Sequence, residues 1–286
     1  MPIIDSPLRY PGGKSQLAPA VIEILRENNL FYGQYAEPFA GGAGIAWTLL
    51  LNSYVSQVFI NDIDPAIHSF WHAVLRHTDD LCESIETARI TITEWKRQRE
   101  YQDVKRPKAF DLGFSTLFLN RTNRSGIIRG GVIGGLGQNG DYKLDCRFNK
   151  ADLIRKIQRI GSHRDQVTLH KLDAVEFIHN VLKKAPAKTF VNLDPPYYVK
   201  GPGLYRNHFT PEDHATLAKA VSAIKHHWMV TYDDTPETRR LFSKYPCYAQ
   251  QLNYSAQEKR VGTELVVFDG RLKVPATFGE LGLLAA

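Results

Sequence analysis

The alternation of short apolar runs with helical periodicity most restricts what this 286-residue chain can fold into. Tyr35-Ala36-Glu37, Val58-Phe59-Ile60, Val167-Thr168-Leu169, Trp228 to Thr231 and Glu264 to Phe268 read as strands, and Thr189 to Leu193 as a buried one. Ser15 to Asn28 reads as a helix, with Leu17, Ala20, Val21, Ile24 and Leu25 on one face. Ile45 to Ser53 reads as a second helix, and Asp64-Pro65 as an N-cap followed by proline at the first helical position. Strands separated by helices predict an α/β fold with a doubly wound, largely parallel sheet.

The strand signal stops at about residue 66. Up to residue 119 the pattern is helical, carried by Ile67, Phe70, Trp71 and Val74, then Leu81, Ile85 and Ala88. Residues 120–149 hold glycines 126, 130, 131, 134, 135, 137 and 140 without helical periodicity, which predicts a long loop or loose hairpin. Residues 1–65 and 161–286 are therefore expected to form one α/β unit, interrupted by a mostly helical insertion at 66–160.

A net charge of +6 favours a polyanionic partner. Six basic residues and two acids fall between Lys96 and Lys108, a pattern that a solvated helix face would also explain; Arg121, Arg124 and Arg129 follow. No run approaches the roughly 20 apolar residues of a membrane span. The first residues lack the basic-then-apolar pattern of a signal peptide. Cys82, Cys146 and Cys247 are widely spaced, which suggests neither a disulfide framework nor a zinc module. No metal is expected, and a reducing cytoplasm is the simplest setting.

Four stretches carry candidate chemistry. Asp194-Pro195-Pro196-Tyr197-Tyr198 follows the buried strand at 189–193. A carboxylate, a carbonyl stiffened by two prolines and an aromatic ring suit the modification of a nucleobase amine. The amine's lone pair is delocalised into the ring, so it needs two acceptors for its hydrogens and a flat surface for the base. Asp-Pro also opens ordinary turns, and the pentapeptide alone leaves both readings standing. Glu37-Pro38-Phe39-Ala40-Gly41-Gly42-Ala43-Gly44 lies between a strand and a helix, where open α/β sheets bind cofactors. Asp62, 18 residues beyond Gly44, ends the next strand, where an acid commonly accepts from ribose hydroxyls. Tyr10-Pro11-Gly12-Gly13-Lys14 leads into the first helix: Lys14 and Tyr10 can grip the amino-acid end of a cofactor, or the stretch can be a plain turn. Asp173 can reach an adenine amine or cap the next helix.

These motifs, with Leu8-Arg9-Tyr10-Pro11-Gly12-Gly13-Lys14 and Phe118-Leu119-Asn120-Arg121, stand in the order found in the Dam-like adenine-specific DNA methyltransferases, which the chain resembles over nearly its whole length. Phe209-Thr210 and Val230-Thr231-Tyr232-Asp233 resemble the segments that follow the catalytic motif there. The resemblance implies a Rossmann-like methyltransferase sheet, S-adenosyl-L-methionine as donor, and transfer to the exocyclic N6 of adenine in double-stranded DNA after base flipping. It implies Asp194, Pro195, Pro196 and Tyr197 at the target base. Tyr10, Lys14, Glu37, Pro38, Phe39, Gly41, Gly42, Asp62, Asp173 and Asp194 would line the cofactor site. Asn120, Arg121, Arg124 and Arg129 would contact DNA from a recognition insertion. A cognate restriction or defence protein is compatible with this class. The sequence leaves four other readings open: a cytosine exocyclic-amine methyltransferase, an RNA methyltransferase, an inactive DNA-binding regulator and a nicotinamide oxidoreductase. The last is disfavoured because the glycines do not follow Gly-x-Gly-x-x-Gly.

Overall fold

A computed structural model describes residues 5–9, 14–199, 209–254, 260–275 and 283–285. Its sheet has eight strands: β1 (Gln34–Glu37), β2 (Gln57–Asn61), β3 (Val167–His170), β4 (Thr189–Leu193), β5 (His227–Asp233), β6 (Cys247–Tyr254), β7 (Arg260–Phe268) and β8 (Leu283–Ala285). Their order is β3-β2-β1-β4-β5-β7-β6-β8. The first five run parallel, as expected. β7 then pairs antiparallel with β5 and β6, and β6 with β8. β6 and β8 were not expected from the sequence, because neither is a bounded run of β-formers.

Side chains alternate across the sheet, so adjacent strand residues enter two different cores. Tyr35, Phe190 and Met229 pack on one face with helices α1 (Ala18–Glu27), α2 (Gly44–Leu51) and α3 (Pro65–Arg76). Ala36, Val191, Trp228 and Val230 pack on the other. There they meet α8 (Ala174–Asn180), α9 (Pro211–Ser222) and α10 (Pro236–Leu241). The α-helical ladder of α1 starts later than Ser15, after a 3₁₀ turn at Lys14–Leu17. Pro19 in the first turn of α1 gives the reason: it can begin an α-helix but has no N–H to continue one. Asp64 caps α3 as expected, its Oδ1 accepting from the Ala66 amide at 2.8 Å with Pro65 at the first position.

The segment between β2 and β3 is helical: α3, α4 (Thr78–Thr87), α5 (Ile92–Tyr101), α6 (Ala109–Thr122) and α7 (Lys150–Gly161). Ile67, Phe70, Trp71, Leu117, Phe118 and Ile157 share one core with α1, α2 and the sheet. The boundary expected at residue 66 therefore falls inside a helix that belongs with the sheet. From Asn123 to Asn149 the described backbone holds one 3₁₀ turn at Arg124–Gly126 and an isolated antiparallel bridge, Asn123 to Val132, rather than a hairpin ladder. Buried Val132, Leu144 and Phe148 tether it.

Candidate active site

Strand order locates the site. β1 and β4 are parallel neighbours, yet the helix that follows β1 lies on one face and the helix that follows β4 on the other. A crevice opens at the carboxyl ends of strands that diverge in this way. β1 ends at Glu37 and β4 at Leu193, so the glycine loop and Asp194 come together there without any contact between them in sequence.

The loop after β1 is held on three sides. The Gly41 amide donates to Asp62 Oδ2 at 2.8 Å. The Trp71 indole N–H donates to the Gly41 carbonyl at 2.8 Å, and Ser6 Oγ to the Gly42 carbonyl at 2.6 Å. Gly41 has φ +45°, a conformation that favours glycine. Gly44 is enforced by packing, because a Cβ there would lie 2.1 Å from Ser15 Oγ. Asn61 stitches the neighbouring strand ends: its amide donates to the carbonyls of Pro38 and Leu172, and its Oδ1 accepts from the Leu172 amide.

Glu37 is buried and accepts from the Tyr35 hydroxyl at 2.8 Å. Burial pushes its carboxyl up to about 8, against hydrogen bonds from Tyr35 and the Ala46 amide. Asp62 is half-buried, and loss of hydration pushes it up to about 7. Its Oδ1 takes the Asp64 amide and its Oδ2 the Gly41 amide, so each oxygen keeps one lone pair for a further donor. The ring of Phe39 meets Phe209 edge-on at 6.0 Å, joining this loop to the segment before α9. Asp173 is exposed and caps α8, accepting from the Val175 and Glu176 amides at 2.8 and 3.3 Å.

The segment after β4 is fixed from β5. Thr231 Oγ1 donates to Asp194 Oδ1 at 2.7 Å, and Lys14 Nζ lies 3.3 Å from the same oxygen. Among the described residues Asp194 Oδ2 has no partner, and the side chain is a quarter exposed. The Pro195 carbonyl likewise accepts no hydrogen bond among the described residues. Asp233 receives the amides of Tyr198 and Val199 at 2.7 and 2.9 Å, which pins the far end of the turn. Tyr197 is buried, with its hydroxyl between Lys14 Nζ at 2.9 Å and the carboxylate of Glu264.

Lys14 was expected at the cofactor. Its ammonium lies against the Asp194–Tyr198 turn, bonded to Glu264 Oε1 at 2.9 Å and 5.0 Å from the Tyr197 ring centre. A buried ammonium needs carboxylate partners, and Asp194 and Glu264 supply them. Tyr10 lies outside the described residues.

The family model for the D12 class N6 adenine-specific DNA methyltransferases matches residues 10–259, which include the glycine loop, Asp62 and the Asp194 turn. The chain belongs to that family. The enzyme methylates adenine at N6 in DNA with S-adenosyl-L-methionine as methyl donor. It is 26% identical over 211 residues to the type II methyltransferase M.MjaIII of Methanocaldococcus jannaschii, covering 66% of this chain and 68% of that protein. Among solved structures it is similar to the rRNA methyltransferase AviRa of Streptomyces viridochromogenes. That match has 14% identity, covers 91% of this chain and 85% of the other, and has a TM-score of 0.40. It is also similar to M. capricolum TrmK in complex with S-adenosylhomocysteine, at 8% identity over 91% and 74% of the two chains, TM-score 0.37.

Two residues expected at DNA are placed inside the methyltransferase. Asn120 is 1% exposed; it accepts from the Arg9 amide and donates to the carbonyls of Arg9 and Gly126, each at 2.8 Å. Arg121 spends its guanidinium on the Pro7 carbonyl, and burial lowers it to about 10. Arg124 and Arg129 are exposed, Arg129 pairing with Asp103 at 2.9 Å. Sequence reasoning missed Trp71, Thr231 and Glu264 as site residues and did not assign Asp233 its role; all four lie inside or at the ends of elements and read as core or strand.

Proposed function

We propose that Asp194 Oδ2 and the Pro195 carbonyl accept the two amine hydrogens of a flipped adenine, and that Tyr197 is its stacking surface. One observation carries this reading: at the mouth of the crevice, one oxygen of Asp194 is held by Thr231 and Lys14, while among the described residues the other oxygen and the adjacent carbonyl have no partner. Acceptors fixed before the base arrives need no reorganisation when the amine rehybridises. Pro196 restricts the backbone of Pro195 and so holds that carbonyl in place.

The residues at the ends of β1, β2 and β3 fit S-adenosylmethionine. Asp62 offers unused lone pairs suited to ribose hydroxyls, and Glu37, Pro38, Phe39, Gly41 and Gly42 form a floor close to the backbone. Asp173 keeps one carboxylate oxygen beyond its capping role for an adenine amine. When bound, the cofactor supplies an electrophilic methyl group. The chain's own part is to hold the amine hydrogens at Asp194 and Pro195 and to keep the base plane fixed.

The DNA-reading part lies within the segment 66–160, with Arg124 and Arg129 on phosphates and Asn120 and Arg121 as internal braces for the residues 7–9 strap. Among the described residues no helix is long and apolar enough to cross a membrane. The setting is the cytoplasm, and a cognate restriction protein fits the likeness to a type II methyltransferase.

Asp194→Ala tests the reading. Its single-turnover methylation of DNA falls by about 100-fold or more, while S-adenosylmethionine affinity measured by calorimetry changes only severalfold. Near-normal transfer by that variant removes Asp194 from the chemistry.

A further inference from the structure

We propose that Glu264, on the antiparallel strand β7, is a positioning residue for methyl transfer: it fixes the Tyr197 ring and divides the Lys14 ammonium so that Asp194 is not wholly engaged by it. This rests on the reading of Tyr197 as the surface on which the target base stacks.

The register of the sheet brings the residue in. β7 pairs with β5 so that Glu264 lies opposite Asp233, next to the strand end that pins Tyr198 and Val199. Its side chain is 2% exposed. Oε1 receives the Lys14 ammonium at 2.9 Å and the Tyr197 hydroxyl. Oε2 is buried and has no partner among the described residues. A carboxylate kept to brace the sheet would use both oxygens on backbone amides, as Asp233 does on Tyr198 and Val199. Among the described residues every side-chain bond of Glu264 goes to Tyr197 of the turn or to the lysine beside it. Burying an acid this deeply costs several kcal/mol unless the group is paired and hydrogen-bonded. A hydrophobic residue would serve the strand better, since Leu265 to Phe268 are all fully buried.

The geometry gives Glu264 two effects. Tyr197 is held at both ends: its backbone by the turn that Asp233 fixes, its hydroxyl by Glu264 and Lys14. The ring plane is thereby set before a base arrives, and pre-set surfaces cost no ordering when they are used. Lys14 lies 2.9 Å from Glu264 and 3.3 Å from Asp194. Without Glu264 the ammonium is no longer shared in this way and draws more strongly on Asp194, the acid that must accept the amine.

The full-length enzyme tests this with unmethylated plasmid DNA and labelled S-adenosylmethionine. Glu264→Gln keeps the shape and removes the charge. It lowers kcat roughly 10- to 100-fold and leaves KM for S-adenosylmethionine within about twofold, with a melting temperature close to wild type. Tyr197→Phe, which removes the same contact from the other side, lowers kcat too, and the double variant costs no more than the worse single one. A wild-type kcat in Glu264→Gln overturns the proposal. So does a loss of kcat that comes with a raised cofactor KM and a lower melting temperature, the mark of a purely structural residue. If Glu264→Gln fails to fold, Tyr197→Phe decides: a wild-type kcat there is equally fatal. Tyr197→Ala separates the two levels. Normal turnover in that variant defeats the base-stacking reading itself, whereas a slow Tyr197→Ala with normal Glu264→Gln and Tyr197→Phe defeats the role of Glu264 alone.

Discussion

The chain uses glycine twice in long runs, at 41–44 and at 126–140, and the two uses differ in kind. In the first, side chains from distant parts of the chain hold the backbone: Asp62 the Gly41 amide, Trp71 the Gly41 carbonyl, Ser6 the Gly42 carbonyl. A Cβ at Gly44 would press on the Ser15 side chain, 2.1 Å from its Oγ. In the second, the glycines are mixed: a Cβ at Gly131 would meet nothing within 4 Å, whereas one at Gly126 would lie 2.2 Å from the Arg9 carbonyl, and Gly126, Gly134 and Gly135 all have positive φ. The segment is held by a few anchors, such as Asn123 on the Ile127 and Ile128 carbonyls and Gln138 on those of Ile133 and Gly135. On the proposed reading the first loop is a surface formed before the cofactor arrives, which lowers the ordering cost of binding. The second is held mainly by contacts within itself, and on the proposed reading it is the part that meets DNA.

Four experiments press on that contrast. The largest effect is expected in the open segment, at its exposed arginines. Replacing Arg124 and Arg129 together by alanine weakens DNA binding by about 10-fold or more at low salt, and flattens the log–log salt dependence by about 1.8. An unchanged slope in a fluorescence-anisotropy titration takes both residues off the phosphates. In the clamped loop, Trp71→Phe keeps the ring and strands the buried Gly41 carbonyl, at a cost of about 1–3 kcal/mol in urea unfolding. Cofactor affinity falls with it; equal stability to wild type shows that the clamp is not needed.

The third experiment reads pH. The carboxyls of Glu37 and Asp62 are raised to about 8 and about 7, so the folded state holds protons that the unfolded chain has already lost. The stability they confer is complete below the ordinary carboxylate range and is lost as pH rises through 7 and 8. The melting temperature of the cofactor-free enzyme therefore declines between pH 5 and pH 8.5, and Glu37→Gln makes the decline shallower. A wild-type melting temperature that rises over that interval contradicts the assignment. The smallest effect belongs to Gly131→Ala, which changes stability by less than about 0.5 kcal/mol because the added methyl enters open space. A loss of several times that size makes the open segment as tightly built as the loop at 41–44.

What the sequence made legible follows the same division. Glu37, Asp62 and Asp194 could be placed because each ends a strand, and a parallel sheet delivers strand ends to one edge. Glu264 could not. It opens an apolar run and looks like the edge of a strand; its meaning comes from an antiparallel pairing with β5 that no local pattern announces. Trp71 hides for a similar reason, since its helical spacing marks it as core and its indole N–H becomes informative only against the Gly41 carbonyl. Asn120 and Arg121 show the opposite difficulty. Polar residues beside a basic, glycine-rich stretch suggest a nucleic-acid surface, but at the end of α6 they face inward and hold the strap at residues 7–9. The boundary expected at residue 66 falls inside α3, which packs in one core with the sheet and α6, and periodicity alone does not say which neighbour owns a helix.

Nucleoside mass spectrometry reaches the central claim most directly. DNA is taken from a methylation-free host that expresses either the wild-type chain or Asp194→Ala, and digested to nucleosides. The account predicts N6-methyladenine from the wild type and none from the variant. N4-methylcytosine from the wild type, or N6-methyladenine from Asp194→Ala at wild-type yield, would contradict it.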